Sequence, residues 1–439
     1  MVWLTLAVAF FFLLLGCMRG GVGLGVMGGL GTAVLVFVFK MKPSTPPIDV
    51  MLMILAVICA AGAMEAAGGL DYLVRVAERW LRSNPKRITF YAPIVTYLFT
   101  FFAGTGHVAY SVLPVIAEVA RETKVRPERP LSVAVIASQF AITGGPISAA
   151  MMAMLSMTED KGMTLLKLMA ITAPATFLAC MVAAFVMNFY GKELEDDPEY
   201  QRRLAAGEIP PVVPHKDEEY KPDPNALKSV WLFLAAAVIV VVLGAVPALR
   251  PSWVVDGKPT PLDMPSALQL VMLTAAAAIL FLCKPDLKKI VRGQVMNAGV
   301  TAIIAIFGIA WMGDTWFANN REAVQASVSS MVQVAPWLFA FALFALSALV
   351  NSQAATTRAL MPIGLALGIP VPYLAAMFPA VNGYWLTPDY GPIIAAVQFD
   401  RTGTTRIGKW IFNHSFMLPG TIATILSVIF GFVMQAIVW

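Results

Sequence analysis

Four short segments rich in glycine, proline and small polar residues interrupt the long apolar stretches of this sequence. They are Gly104-Thr105-Gly106, Thr143-Gly144-Gly145-Pro146, Asn351-Ser352-Gln353 and Thr387-Pro388-Asp389-Tyr390-Gly391-Pro392. A break in a membrane helix leaves backbone N–H and C=O groups without partners, so it persists only where protein buries it or where it lines a cavity. The alternative is that these glycines and prolines only kink the helices for packing.

Each break also starts a new half-helix, whose first turn has unpaired N–H groups and the positive end of the helix dipole. Pro146 and Pro392 suit the first position of such a helix, where a missing N–H costs nothing. Four helix N-termini that converge would bind anionic groups without a buried lysine. We therefore expect a small substrate that carries two carboxylates.

Residues at and beside the breaks are the candidate substrate-binding residues. They are Gly104, Thr105, Gly106, His107, Thr143, Gly144, Asn351, Ser352, Gln353, Arg358, Tyr390 and Gly391. His107 could bond a carboxylate, titrate during proton coupling, or cap its own half-helix. An arginine within the membrane is a functional candidate by default, although Arg358 could also snorkel to the surface or pair with an acid.

Three acidic residues, Glu65, Asp314 and Asp389, lie in or beside the predicted membrane segments. They could be coupling acids or structural acids, and local hydrogen bonding near the end of a span is the favoured role for each. The sequence contains no cluster with metal-ligand spacing, no nucleophile with its base and no phosphate loop. We therefore expect neither an enzyme nor a bound metal or cofactor, apart from Na⁺ or H⁺ that could couple to transport.

The composition is that of a membrane protein. The 439-residue chain is 59% hydrophobic and 13% charged, with a mean hydropathy of +0.75, whereas soluble domains have about 25% charged residues. An ordinary globular enzyme and a disordered protein are thereby excluded, and a helical fold that crosses the bilayer many times is predicted. Ten crossings are expected near residues 2–18, 22–39, 48–66, 130–157, 164–190, 229–247, 264–283, 297–313, 372–398 and 411–438.

Two further apolar stretches, 88–120 and 336–369, are too short to cross twice. They contain 33 and 34 residues, whereas two crossings need about 40. Each has a break at its middle, and basic residues flank both ends of the first stretch. Both are predicted to be re-entrant helical hairpins that enter and leave the membrane on the same side.

The basic residues predict the orientation of the chain. With both termini periplasmic, 23 of the 31 lysines and arginines lie on the cytoplasmic side, as the positive-inside rule requires. Since these residues lie between spans and form no patch, nucleic acid is not an expected partner. The polar segment 191–228 then becomes a flexible cytoplasmic linker.

This linker separates two halves, 1–190 and 229–439, that contain an internal repeat. The run Gly145-Pro146-Ile147-Ser148-Ala149-Ala150 matches Gly391-Pro392-Ile393-Ile394-Ala395-Ala396 at five of six positions. Each half has five predicted crossings and one hairpin. Because five is an odd number, the second half must be inverted relative to the first, which is typical of secondary transporters.

Several specific runs resemble the anaerobic C4-dicarboxylate transporter (Dcu) family over nearly the whole chain. They are Gly68-Gly69-Leu70-Asp71, the run from Phe102 to Pro114, Asn351-Ser352-Gln353-Ala354-Ala355, the run from Gln398 to Thr405, and Phe412-Asn413-His414. The resemblance implies a carrier in the bacterial inner membrane that exchanges fumarate, aspartate or malate for succinate in anaerobic respiration. It also implies kinship with the ion-transporter superfamily, in which paired hairpins ride in a moving elevator domain, and a homodimer.

Mapped onto this sequence, the resemblance singles out residues 104–107 and 351–354 and the cytoplasmic segment from Asp400 to Thr405. That segment could be a gate or hinge, or an ordinary loop. The predicted function is antiport of C4-dicarboxylates by alternating access. A Na⁺- or H⁺-coupled symporter, an anion channel, and a membrane sensor or scaffold without flux are the alternatives.

Overall fold

The computed structural model describes residues 1–19, 21–209, 223–255, 258–387, 390–408 and 413–439. The first nine α-helices in these ranges are α1 Val2–Arg19, α2 Gly21–Phe37, α3 Ile48–Ala66, α4 Gly69–Ser83, α5 Ile88–Ala103, α6 Ala109–Glu122, α7 Glu128–Phe140, α8 Ala149–Thr158 and α9 Leu165–Asn188. The next ten are α10 Pro198–Ala205, α11 Pro224–Ala245, α12 Met264–Cys283, α13 Leu287–Arg292, α14 Gln294–Val334, α15 Phe339–Val350, α16 Gln353–Ala366, α17 Val371–Met377, α18 Gly391–Phe399 and α19 Met417–Val438.

The helices follow the apolar stretches of the sequence closely. Helices α3 and α12 have the bounds predicted for the spans 48–66 and 264–283. Within the described residues, six helices are long and apolar enough to cross a membrane, namely α3, α9, α11, α12, α19 and the part of α14 from Gln294 to Asn320. The prediction of a helical membrane protein is therefore confirmed.

Helix α14 differs from its prediction because it continues for 41 residues, far beyond the expected end at residue 313. The residues after Gly313 are more polar but include many good helix formers, and the next proline is Pro336. Hydropathy marks where a helix leaves an apolar environment, whereas propensity and proline mark where the helix itself ends.

The predicted breaks divide the chain into short helices. The stretch 130–157 consists of α7 and α8 with a 3₁₀ turn, Ala141–Thr143, after α7. The stretch 372–398 consists of α17 and α18 with 3₁₀ turns at Phe378–Val381 and Gly383–Trp385, so α17 ends ten residues before the predicted break at Thr387. The two predicted hairpins consist of α5 with α6 and of α15 with α16. These four arms have 12 to 16 residues, which corresponds to about 18–24 Å at 1.5 Å per residue. None of the four arms is as long as the roughly 30 Å hydrocarbon core of a bilayer.

A small β-hairpin was not predicted. Strands β1 Ser252–Val255 and β2 Lys258–Pro261 pair antiparallel between α11 and α12, with Ser252 opposite Pro261. The sequence signal for it is Asp256-Gly257, a dipeptide typical of two-residue hairpin turns, although these two residues lie outside the described ranges.

The first part of the predicted linker 191–228 is folded. Asp197 begins α10 and accepts a hydrogen bond from Arg126 Nη1 at 2.6 Å. Burial acts to raise the pKa of Asp197, but hydrogen bonds from the Tyr200 N–H and from Arg126 outweigh it and hold that pKa below its ordinary value. A flexible linker was expected because the segment is polar, whereas these charged side chains find partners on the helical bundle.

The helices group into two bundles that share one long boundary. The first bundle contains α1, α2, α3, α11, α12 and α14, and the second contains α5, α6, α7, α9, α15, α17, α18 and α19. Helices α8 and α16 pack against each other and connect the bundles, because α8 also contacts α3 and α16 also contacts α14. The helix pairs on either side of the four breaks, α5 with α6, α7 with α8, α15 with α16 and α17 with α18, are the interrupted helices. They lie in the second bundle and at its boundary with the first.

Glycines allow α2 and α14 to pack with their backbones in contact. A Cβ atom at Gly25 would lie 1.9 Å from the carbonyl oxygen of Ile304, and one at Gly308 would lie 1.7 Å from the carbonyl oxygen of Gly25. Small residues at such crossings are the common way to bring membrane helices together. Gly25 and Gly28 lie at the contact between α2 and α14, whereas no described atom lies within 4 Å of a Cβ placed at Gly29.

We predict that Gly308→Ala lowers the melting temperature (Tm) of the detergent-purified protein, because overpacking of this kind costs about 1–3 kcal/mol. The matched control is Gly29→Ala, which adds the same methyl group where nothing lies within 4 Å. A wild-type Tm for Gly308→Ala, measured by intrinsic fluorescence, would show that α2 and α14 can separate without cost.

Candidate functional site

A cavity of about 1050 Å³ lies between the two bundles. One wall comes from α1, α3 and the first part of α14, and the other comes from the interrupted helices. Three of the breaks contribute their own residues to this second wall, and the second break contributes through residues that flank it; these wall residues are Gly104, Thr105, Gly106, Ile142, Ile147, Ala149, Asn351, Ser352, Gln353, Ala354, Tyr390 and Gly391.

The first turns of the four half-helices all reach the cavity. Helix α6 contributes Tyr110, α8 contributes Ala149, α16 contributes Gln353, and α18 contributes Gly391. The positive ends of four helix dipoles therefore face one volume. Such an arrangement favours anions over cations and needs no buried lysine.

The hairpin tips are built on residues in the left-handed backbone region. Gly104 ends α5 with φ of 72°, and Asn351 ends α15 with φ of 51°. Glycine and asparagine are the residues that adopt this conformation most readily at helix C-termini. The chain can then turn sharply and begin the second arm of the hairpin.

Two of the half-helices carry serine caps. Ser148 Oγ accepts a hydrogen bond from the Met151 N–H of α8 at 3.1 Å, and Ser352 Oγ accepts one from the Ala355 N–H of α16 at 3.3 Å. Each cap pairs one of the four free N–H groups in the first turn, so the expectation of wholly unpaired helix ends was too simple. Among the described residues, no side chain caps α6 or α18 in this way.

The two break prolines occupy different positions. Pro392 lies in the first turn of α18, one residue after the first position that was expected for it. Pro146 was expected at the first position of its half-helix, but α8 begins three residues later, at Ala149. The Ser148 cap sets the start of α8, because its side chain replaces the backbone partner that the helix lacks there.

Behind the wall, buried amides and hydroxyls from both halves form one hydrogen-bond network. Gln139 Oε1 accepts from Gln353 Nε2 at 3.3 Å and from Tyr390 Oη at 3.0 Å. Gln353 Nε2 also donates to Asn382 Oδ1 at 3.2 Å, and Asn382 Nδ2 donates to Thr143 Oγ1 at 3.1 Å. The network thus joins the segment of α7 and α8, the segment of α17 and α18, and the second hairpin tip.

Sequence reasoning missed Gln139 and Asn382. Both are fully buried amides, and each precedes a break by four or five residues, Gln139 before Thr143 and Asn382 before Thr387. An uncharged amide close to a helix break in an apolar stretch was the available signal. Such a group is costly in an apolar environment unless it is paired.

Two of the candidate residues lie behind the cavity wall. The Thr143 hydroxyl donates to the Phe140 carbonyl at 2.9 Å and accepts from Asn382. Gly144 packs against Tyr97, whose hydroxyl oxygen would lie 2.5 Å from a Cβ at that glycine. Both residues support the second break and do not form part of the cavity surface.

Arg358 is also away from the cavity, five residues beyond Gln353 along α16. Its Nη2 lies 3.9 Å from Asp314 Oδ2 on α14, and the two side chains are 17% and 23% exposed. The structure thus supplies the acidic partner that the sequence left open. This ion pair connects α16 to α14.

Glu65 caps a helix from outside it. Its two carboxylate oxygens accept from the Gln294 N–H at 3.1 Å and the Val295 N–H at 3.2 Å, at the start of α14. Asp314 lies 20 residues further along α14, which is about 30 Å at the helical rise. The two acids therefore serve separate contacts at distant points of one helix.

Two predicted positions are described only in part or not at all. The backbone of His107 lies in the 3₁₀ turn Gly106–Val108 at the first hairpin tip, and its side chain lies outside the described part of the structure. Asp389 lies wholly outside the described residues. Their predicted roles stay predictions.

Arg19, at the end of α1, also lines the cavity and was not among the candidates. It is the one formally charged side chain among the described cavity-lining residues. Its positive charge adds to that of the four helix ends, so the charges around the cavity have the sign that attracts carboxylates.

The segment from Asp400 to Thr405 is a compact turn around a buried carboxylate. Asp400 Oδ2 accepts from the Thr405 N–H at 2.6 Å and from Thr404 Oγ1 at 2.9 Å, and Oδ1 accepts from the Thr402 N–H at 2.9 Å. The turn directly follows Phe399, which lines the cavity. Its hydrogen bonds hold the end of α18 in place.

Comparison with known proteins places the whole chain in one group. A family model described as anaerobic C4-dicarboxylate membrane transporter matches residues 1–439. The C4-dicarboxylate transporter DcuA of Escherichia coli K12 is 44% identical over 435 residues, with 99% of each chain covered. DcuA of Wolinella succinogenes is 43% identical over 96% of each chain, and anaerobic C4-dicarboxylate transporter DcuB of Escherichia coli O157:H7 is 40% identical over 96% of this chain and 95% of that protein.

Two solved structures share the fold at low sequence identity. The YdaH transporter of Alcanivorax borkumensis has a TM-score of 0.57 at 12% identity, covering 98% of this chain and 97% of that one. MtrF of Neisseria gonorrhoeae has a TM-score of 0.55 at 10% identity, covering 98% and 94%. These similarities concern the arrangement of helices alone.

We predict that Arg358→Gln and Asp314→Asn each lower the Tm, because each leaves the other side chain without its partner in an apolar region. The double variant will recover part of the loss, because it contains no unpaired charge. Arg202→Gln, at an exposed ion pair, is the control and should leave the Tm unchanged. Additive losses in the double variant would contradict a stabilising pair between α14 and α16.

Proposed function

The chain belongs to the anaerobic C4-dicarboxylate membrane transporter family, and on that premise we propose that it is an antiporter that works by alternating access. Fumarate, malate or aspartate enters in exchange for succinate across the bacterial inner membrane. Like its relatives, the chain is a transporter and not an enzyme.

The observation that carries this proposal is the convergence of four half-helix N-termini on one cavity. A C4-dicarboxylate is short and has a carboxylate at each end, so two helix ends can serve each carboxylate. Side chains at the second tip, from Asn351 to Gln353, add hydrogen-bonding groups. Arg19 supplies a full positive charge on the opposite wall.

The charge of the empty site supports exchange over net transport. Without substrate, four positive helix ends and Arg19 face the cavity and no described lining residue carries a negative charge. A movement that carries these ends through the apolar core costs less free energy when a dianion neutralises them. The loaded carrier would then reorient faster than the empty one, which is what obligatory exchange requires.

The division into two bundles suggests which part of the protein moves during transport. The second bundle, together with α8 and α16, contacts the first through α16 against α14, α8 against α3, α9 against α11 and α15 against α1. We propose that the second bundle, with both hairpins, moves as an elevator domain against the first. The Arg358–Asp314 pair crosses this boundary, so it must separate during the movement.

The inverted repeat is supported by the order of helices and by reciprocal contacts. Both halves have the same order of main helices. In the first half the order is α1, α2, α3, the pair α5 and α6, the pair α7 and α8, and α9; in the second it is α11, α12, α14, the pair α15 and α16, the pair α17 and α18, and α19. The third helix of each half packs on the second helix of the other, as α3 does on α12 and α14 on α2. Likewise α6 packs on α18 and α16 on α8. Such reciprocity is expected when two similar units are related by a twofold axis.

The same repeat predicts the topology. Ten crossings with two re-entrant hairpins place both termini in the periplasm and the basic loops in the cytoplasm. A homodimer, implied by the resemblance, stays a prediction.

The first test is uptake of radiolabelled fumarate into proteoliposomes. We expect uptake to rise several-fold when the vesicles contain succinate, with no Na⁺ or pH gradient, and to saturate with external fumarate. Protein-free vesicles are the control. Uptake that requires an ion gradient would mean a symporter, and flux that neither saturates nor responds to internal succinate would mean a channel.

A second test concerns the second hairpin tip. Ser352→Ala removes the cap of α16, a change that costs about 1 kcal/mol at a typical helix N-terminus, and we expect it to raise the KM for fumarate uptake. Ser156→Ala is the matched control, because Ser156 is a partly buried serine of α8 whose one side-chain hydrogen bond within the described residues goes to the Ala153 carbonyl. Equal KM values for the two variants would remove the tip from the site.

A third test separates side chain from backbone at Asn351. Asn351→Gly keeps access to the left-handed conformation, whereas Asn351→Ala strains it. If the amide contributes to binding, both variants will raise the KM. If Asn351→Gly has a wild-type KM and Asn351→Ala has a raised one, the residue acts only through the backbone turn and not through its amide.

A further inference from the structure

One buried amide, that of Gln139, contacts three of the four breaks. Its Oε1 accepts hydrogen bonds from Gln353 at the second hairpin tip and from Tyr390 at the start of α18. Its Nε2 lies against the first hairpin tip, because a Cβ at Gly106 would be 2.2 Å away. The remaining break, which starts at Thr143, follows the helix that contains Gln139, at the end of the 3₁₀ turn Ala141–Thr143.

Gln139 itself does not line the cavity, whereas its three neighbours do. Gly106, Gln353 and Tyr390 all belong to the cavity wall. Gln139 is fully buried behind them, and its Nε2 donates a hydrogen bond to Ser138 Oγ at 3.2 Å. Any effect of this side chain on a bound molecule must therefore act through the wall residues.

The absence of a side chain at Gly106 is part of the same arrangement. With any larger residue there, the first tip could not approach the Gln139 amide, because all three nearest atoms belong to that amide and lie within 2.7 Å. The tip and the amide thus fit one another closely, and the amide sets how near the first tip comes to the second.

We propose that Gln139 is a positioning residue that holds the two hairpin tips and the start of α18 at the separation that fits a C4-dicarboxylate. This inference rests on the proposed function, and it assigns substrate selectivity to a residue that does not touch substrate. Without the acceptor oxygen, the Tyr390 hydroxyl loses this buried partner and Gln353 Nε2 keeps only Asn382, so both side chains are less firmly held at the cavity wall.

Transport kinetics test the proposal with Gln139→Met, which has similar length but no hydrogen-bonding amide. We expect the KM for fumarate to rise by about tenfold, equivalent to about 1.4 kcal/mol, with a smaller change in Vmax. Gln269→Met on α12, a glutamine that does not line the cavity, is the matched control. A wild-type KM in Gln139→Met, with only the Tm or Vmax lowered, would reduce the residue to a structural role and overturn the proposal.

A double-variant cycle tests whether Gln139 acts through Tyr390. Tyr390→Phe removes one of the two donors to Gln139, so we expect it to raise the KM less than Gln139→Met does. The double variant should match Gln139→Met, because the same hydrogen bond is already absent. Effects that multiply would mean that Tyr390 acts independently and would overturn this arrangement.

A readout without substrate separates this proposal from the proposed function. In a protein whose four native cysteines are replaced by alanine, Ser352→Cys reports the position of the second tip through its rate of labelling by a maleimide. We expect Gln139→Met to change this rate several-fold and Gln139→Glu, which keeps an acceptor oxygen, to leave it near the parent value. An unchanged rate in Gln139→Met, or an equal change in Gln139→Glu, would overturn the positioning role. Absence of fumarate uptake by the wild-type protein would instead contradict the proposed function.

Discussion

The structure depends on one constraint, that backbone N–H and C=O groups find partners inside the region of the bilayer that excludes water. Unbroken helices such as α3 and α12 satisfy it by themselves. The four breaks do not. In the part of the chain that the structure describes, serines cap α8 and α16, residues in the left-handed conformation turn the chain at the hairpin tips, and buried amides lie behind them. The cavity exists where these partners leave part of the first turns open.

The same constraint explains why the site can be cationic without a buried lysine. Helix ends provide partial positive charge from the backbone, and the neutral amides of Gln139 and Asn382 hold them in place with hydrogen bonds. A buried ammonium would need a permanent counter-ion or would lose its proton. Partial charges avoid that cost, and the one full charge on the described wall, Arg19, lies on an exposed residue at the end of its helix.

The two bundles differ in how their helices meet. In the first, α2 and α14 are joined by glycines whose backbones touch, which leaves little freedom for one helix to slide on the other. Glu65 further ties α3 to the start of α14. The second bundle meets the first through several smaller contacts, of α16 with α14, α8 with α3, α9 with α11 and α15 with α1, and through one long ion pair, Arg358 with Asp314. A rigid support and a separable neighbour are what alternating access between two domains requires.

The sequence alone determined the helical membrane fold, the bounds of spans such as 48–66 and 264–283, and the approximate places of the helix breaks, although α17 ends ten residues before the break predicted at Thr387. These features follow from local hydropathy, glycine and proline, which are read along the chain. Only the tertiary structure decided that Gln353 bonds Gln139, that Arg358 pairs with Asp314, and that Glu65 caps α14. The physical reason is that a polar side chain takes its partner from whatever packs against it, and Gln353 and its partner Gln139 are 214 residues apart in the chain.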